Sequence, residues 1–213
     1  YGEAVEQLTR QYDGYRFTPE KGFTPMFNPF SVLNALAKSR FGDYWFASGT
    51  PTFLVEILKK TNFDLRELDG IEVSSASLSD DRANISNPVP MIYQSGYLTI
   101  KSFDQRFRTY TLGFPNEEVK YGFLNFVAPF YPPVASTDTT FYIGKFVHEL
   151  ETGETEAFLT RLSCFFADFP YEQNEKTERH YQVVFYLVFK LMGQFTQAEV
   201  RTAIGRADAV VKT

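Results

Sequence analysis

Three residues near the end of the chain have the types and spacing for phosphate chemistry. Asp208 interrupts the apolar run Ala207 to Val211, which reads as a strand. A carboxylate there is costly to bury alone, so a cation or hydrogen-bond donors must serve it. A divalent cation held by an acid on a core strand polarises a phosphate and lowers the pKa of an attacking water. Arg206 and the turn backbone could serve the same carboxylate without any catalysis. Upstream, Glu178 and Gln182 stand four apart at the start of the long apolar helix pattern Glu178 to Phe189. That spacing puts them on one helix face, where they could meet Asp208. Glu178 could equally be an exposed first-turn acid stabilised by the helix dipole. The chemistry also needs a second acid and a lysine on a further strand, so residues 1–213 alone are expected to be inactive.

The residues that must position this site resemble the PD-(D/E)xK nuclease superfamily, in the variety fused behind an AAA-ATPase-like module in bacterial proteins. The likeness rests on Glu178 to Phe189, Ala198 to Thr202 and Gly205 to Val211. Upstream it rests on Tyr12-Asp13-Gly14-Tyr15-Arg16-Phe17, Phe27 to Leu33, Tyr44 to Leu54, Gly96 to Ile100 and Tyr110 to Val119. The resemblance implies Asp208 and Glu178 as ligands of Mg²⁺ or Mn²⁺, with Gln182 beside them. It also implies ATP bound by an upstream ATPase domain, which would be this chain's partner. No Gly-x-x-x-x-Gly-Lys-Ser/Thr loop occurs in these 213 residues, and Asp13-Gly14-Tyr15 is a turn signature. The alternative function is a non-catalytic interaction or regulatory module attached to that ATPase.

The fold class expected is α+β and mainly α. A helical, winged-helix-like region over residues 1–130 and a linker at 131–140 precede an incomplete α/β restriction-endonuclease-like domain over 141–213. Asn28-Pro29 and Thr50-Pro51 each offer an N-cap acceptor and a proline at the first helical position. Phe30, Leu33, Leu36 and Ala37 line one side of the first helix, and Leu54, Val55 and Leu58 one side of the second. Both stripes predict a covering surface. Residues 64–90 read as a polar, Ser/Asp-rich interhelical loop holding short extended or capping pieces. Leu98, Ile100, Tyr110 and Leu112 alternate as the inner face of a hairpin turning at Phe103-Asp104-Gln105. Lys101, Arg106 and Arg108 would contact DNA or RNA phosphates there, or merely solubilise the hairpin. Asn116 caps a helix whose first turn holds Glu117 and Glu118, favourable against the dipole.

Composition narrows the rest. The net charge of −5 argues against a chain-wide nucleic-acid surface. One cysteine excludes an internal disulfide, and with two histidines makes a Cys/His zinc site improbable. Cys164, next to Phe165 and Phe166 and without a basic neighbour, is expected to be a buried inert thiol, and His180 a surface or packing residue. The 23 phenylalanines and 13 tyrosines predict an aromatic core. No signal peptide and no apolar run of roughly 18 residues is present, so a cytoplasmic chain outside the membrane is expected.

Overall fold

The computed structural model describes residues 2–19, 24–48, 52–61, 63–78, 87–130, 136–167 and 178–193. It is mainly helical, with one small antiparallel sheet, and divides into two compact units, residues 1–123 and 124–213.

The first unit opens with α1 (Gly2–Tyr12), α2 (Pro29–Lys38), α3 (Tyr44–Ala47) and α4 (Thr52–Lys60). The α2 start is the expected one: the Asn28 side chain accepts from the Ser31 N–H, with Pro29 at the first helical position. The α4 stripe is buried as expected, Leu54, Val55 and Leu58 being at most 5% exposed, while Thr50 and Pro51 lie outside the described residues. The α2 stripe is not. Phe30, Leu33 and Leu36 are 48%, 67% and 62% exposed, and Ala37 is exposed too. The helix turns its small residues Ser31 and Ala35 inward instead, packing against α1 and α3. A hydrogen bond from Ser31 to a buried acid decides that orientation, because a polar pair inside excludes the bulky stripe from the same side.

The polar stretch read as a loop contains β1 (Ile71–Ser74) and the single turn α5 (Ser75–Leu78), followed by α6 (Val89–Gln94). With β2 (Thr99–Asp104) and β3 (Thr109–Gly113), β1 makes a three-stranded sheet in the order β1-β3-β2. Ile100 and Ile71 both face Leu112, and Val73 faces Tyr110. Leu98, Ile100 and Leu112 are buried, as the alternation predicts. The turn is displaced from its expected place, falling at Gln105–Arg108. A bulge at Lys101 explains this, since an extra residue reverses the parity of the strand. Phe103 thereby joins the face of Ile100 and pairs with Tyr110, ring centroids 4.7 Å apart, instead of turning.

Trp45, Phe46, Tyr97, Phe114 and Phe123 form the expected aromatic core, with the Tyr97 ring centroid 5.4–5.8 Å from those of Trp45, Phe46 and Phe123, and Phe114 5.6 Å from Phe123. Gly14 fits one tight place. At φ +114, a Cβ added there would stand 2.0 Å from the Pro115 carbonyl oxygen. α7 (Glu117–Val127) starts where Asn116 Oδ1 accepts the Val119 N–H.

The second unit holds α8 (Ser136–Glu151), α9 (Thr155–Ala167) and α10 (Glu178–Met192). Residues 136–140, read as linker, are the first turn of α8; 131–135 lie outside the described residues. Phe146 is buried against Phe158 and Phe165, and Phe158 meets Phe189 of α10. Arg161 Nε donates to the buried Glu149 carboxylate at 2.6 Å, tying α9 to α8. Cys164 is exposed, contrary to expectation. Phe158 and Phe165, seven apart, set the inward line of α9, and the residue before Phe165 is rotated about 100° off it. No described helix is long and apolar enough to cross a membrane.

Candidate functional site

α10 is an amphipathic helix whose inner face is complete. Val183, Val184, Leu187, Val188, Leu191 and Met192 are each at most 3% exposed. That apolar line, recurring at three- and four-residue spacing, holds the helix in place. Gln182 lies off it and is exposed. Glu178 begins the helix one turn earlier, with the same angular position as Gln182 to within about 40°. Its side chain, and all of Asp208, lie outside the described residues. The structure therefore places the backbone that presents two of the three predicted groups. Carboxylate and amide oxygens are hard donors suited to Mg²⁺ or Mn²⁺. Among the described residues no cluster of three or more His, Cys, Asp or Glu could hold a metal.

The three hairpin cations separate into two places. Arg106 and Arg108 occupy the turn itself and are exposed. Asp104 Oδ1 accepts the backbone N–H groups of Arg106 at 2.7 Å and Phe107 at 3.0 Å, which orders the tip. Lys101 is the bulged residue at the other end of β2. The bulge aims its ammonium at the Pro115 carbonyl, 3.5 Å away, beside Asp69 and Lys120. Desolvation there holds the Lys101 pKa below the ordinary lysine range, although Asp69 acts the other way. Sequence reasoning missed Phe107, which stands 65% exposed between the two arginines. Its signal was an aromatic between two cations in a turn, where nothing apolar is needed.

A second missed group is Glu118. Placed in the first turn of α7, it is not a surface acid but 0% exposed. One oxygen accepts both the Ser31 hydroxyl at 2.9 Å and the Trp45 N–H at 2.8 Å, and so clasps α2, α3 and α7 together. The other oxygen is buried with no hydrogen-bond partner among the described residues. Burial pushes the Glu118 carboxyl above the ordinary range, and the nearby Asp43 adds to this; Ser31 and the N–H groups of Trp45 and Tyr44 oppose it. Asp43 is itself pushed up by burial. The Tyr15 hydroxyl beside them is buried, which raises its pKa well above the ordinary phenol range. No sequence motif marks this cluster, because its members come from four separated stretches.

No solved structure matches the chain. It is 30% identical over 214 residues to an uncharacterized protein in the vnfD 5′ region of Azotobacter chroococcum mcd 1, an alignment covering 97% of this chain and 40% of that protein. The chain thus spans about 40% of the length of the curated relative it matches. Residues 176–213, the stretch that opens with α10 and contains Glu178, Gln182 and Asp208, match the PD-(D/E)XK nuclease superfamily.

Proposed function

We propose that this chain belongs to a metal-dependent nuclease that acts on DNA or RNA and is coupled to ATP through an upstream ATPase domain. The observation that carries the nuclease part is the superfamily match at residues 176–213, which begins on a helix whose inner face is packed and whose start carries Glu178 and Gln182 at four-residue spacing in the sequence. Asp208 and Glu178 would hold Mg²⁺ or Mn²⁺, and that ion would polarise the scissile phosphate and acidify the attacking water. Gln182 would orient the carboxylates or a metal-bound water from the exposed face of α10. Mg²⁺ keeps several waters and is held through carboxylates together with substrate phosphates. Two carboxylates are few for such a site, so residues 1–213 by themselves are expected to bind the ion weakly and to leave DNA and RNA uncut. The curated relative, of which this chain spans 40%, is long enough to hold a further domain; that such a domain is an upstream ATPase rests on the resemblance of the segments between Tyr12 and Val119 alone.

The winged-helix reading of the first unit is supported by chain order. A helix, α4, is followed by β1, two short helices and a hairpin, and the first strand lies against the last. The tip at Arg106 and Arg108 occupies the place of the wing, with phosphates as its natural contacts. Lys101, aimed at Pro115, would contribute only at the root of the hairpin.

The test is a nuclease assay on the full-length protein and its Asp208→Ala variant, each with Mn²⁺ and with chelator. Metal-dependent cleavage that the substitution abolishes is expected. Full-length activity indifferent to Asp208 would show that the chemistry lies elsewhere.

One observation favours the interaction-module reading as a second function, compatible with the first. The exposed Phe30, Leu33 and Leu36 of α2 form an apolar face suited to covering by the upstream domain of the longer protein. Leu33→Glu with Leu36→Glu in the full-length protein should then lower its melting temperature while leaving residues 1–213 alone unaffected. Equal effects on both would remove this reading.

A further inference from the structure

The turn between β2 and β3 carries more than a turn requires. Gln105–Arg108 closes the hairpin, with Asp104 opposite Thr109 below it. The backbone is fixed at both ends. Asp104 holds the Arg106 and Phe107 N–H groups, and the Arg108 carbonyl accepts the Ser75 N–H at 3.3 Å and the Ser75 hydroxyl at 3.1 Å. Arg108 sits at φ +53, a left-handed conformation that glycine or asparagine adopts with less strain. A turn serving only to reverse the chain would favour those residues and an exposed polar tip. Here Arg106, Phe107 and Arg108 stand in succession on an ordered backbone. The Arg106 guanidinium lies over the Phe107 ring, 5.0 Å from its centroid, and the ring remains 65% exposed. The Phe103–Tyr110 pair braces the strands beneath.

The remainder of the unit indicates the form of nucleic acid this tip suits. In the winged-helix arrangement a helix ahead of the hairpin would enter a duplex groove. That helix is α6, Val89-Pro90-Met91-Ile92-Tyr93-Gln94, six residues without a cation and with Val89 and Ile92 buried. It has no cation to pair with phosphate and, with only Tyr93 and Gln94 as polar side chains, little to read a base edge. A projecting aromatic between two cations is instead what an unpaired strand needs, since its bases offer free π-faces and its phosphates lie on either side. A duplex hides those faces within its stack.

We propose that the hairpin tip binds an unpaired nucleotide strand, with Phe107 stacked on a base and Arg106 and Arg108 on the flanking phosphates. This rests on the nucleic-acid reading above and narrows it to single-stranded DNA or RNA. A base on the ring extends the existing guanidinium–ring stack, and the ordered turn lowers the entropy lost on binding.

Anisotropy of labelled 12-nucleotide DNA and RNA strands, and of a duplex of the same sequence, tests this with the full-length protein in chelator over a series of salt concentrations. The single strands are expected to bind more tightly than the duplex, and the DNA and RNA arms show which the protein prefers. Phe107→Ala should weaken strand binding about five- to 150-fold without changing the salt slope. Phe107→Trp should restore it. Arg106→Ser with Arg108→Ser should reduce the slope by roughly 1.4, the value for two phosphate contacts on a single strand. Because Phe107 is on the surface, unchanged melting curves are expected for every variant. Absence of strand binding, preference for the duplex, or affinity indifferent to Phe107 would overturn the proposal, and a protein partner would then better explain the tip. The nuclease reading fails separately. Strand binding that follows Phe107 without any metal-dependent cleavage defeats only the nuclease, and cleavage without dependence on Phe107 defeats only the tip.

Discussion

α2 and α10 carry the same kind of sequence signal and meet opposite fates. Each has apolar residues at three- and four-residue spacing, which in isolation predicts a buried stripe. In α10 the stripe is buried, Leu187 and Val188 being 2% and 3% exposed. In α2 it faces outward, with Leu33 67% exposed. What holds α2 is polar: the Asn28 cap and the bond from Ser31 to Glu118, beneath a small-residue face. A hydrophobic stripe therefore reports that a helix has a face to cover. Which element covers it depends on the neighbours, and in α2 these favour the other side.

The contrast is broken most directly by truncating one leucine in each helix. Leu187→Ala should cost about 2–5 kcal/mol through lost burial and the cavity left behind. Leu33→Ala should stay within roughly 0.5 kcal/mol in residues 1–213. Urea unfolding measures both. Comparable losses would mean that α2 is covered in solution as fully as α10.

Glu118 sharpens the comparison from the polar side. Its folded-state pKa is raised above the ordinary carboxylate value, so the folded protein binds more protons than the unfolded chain between the two. The contribution of Glu118 to stability should consequently be fully present below the ordinary glutamate value of about 4.3 and be lost as pH rises from there through the raised value. Glu118→Gln keeps an acceptor for Ser31 and Trp45 but cannot ionise. Its stability should decline less than that of the wild type over the same window, and melting temperatures from pH 4 to pH 8 read the difference. Parallel curves would show that Glu118 does not titrate there. Glu118→Ala, which strands the Ser31 hydroxyl and the Trp45 N–H, should be less stable than Glu118→Gln at every pH.

The smallest effect expected is at the cap. Asn28→Ala should destabilise by about 1 kcal/mol, since the Ser31 N–H loses its acceptor. Because α2 has little apolar burial to hold it, the loss should appear as faster amide exchange in its first turn than in α7 of the same variant. Uniform exchange in both would place the restraint on α2 elsewhere.

What could be read from the chain alone was what local chemistry decides. Asn28-Pro29 and Asn116 start helices because a side-chain oxygen meets N–H groups two or three residues on, wherever the rest of the protein lies. The alternation of Leu98, Ile100 and Leu112 marked the inner face of a hairpin by the two-residue period of a strand. The likeness of the last segment to the nuclease superfamily was likewise legible in linear order, as was the Glu178–Gln182 spacing. Tertiary structure decided whatever depended on a partner distant in sequence. β1 is four residues in a polar stretch and exists because β3 offers a ladder. The bulge at Lys101 turned one predicted phosphate contact toward Pro115 and brought Phe103 into the sheet. Glu118 has the local signature of a solvated first-turn acid, and only the arrival of Ser31 and Trp45, 87 and 73 residues away, makes it a buried clasp. Local capping involves groups that are neighbours in any fold, whereas the environment of a carboxylate or a leucine is set by which surfaces the whole chain brings against it.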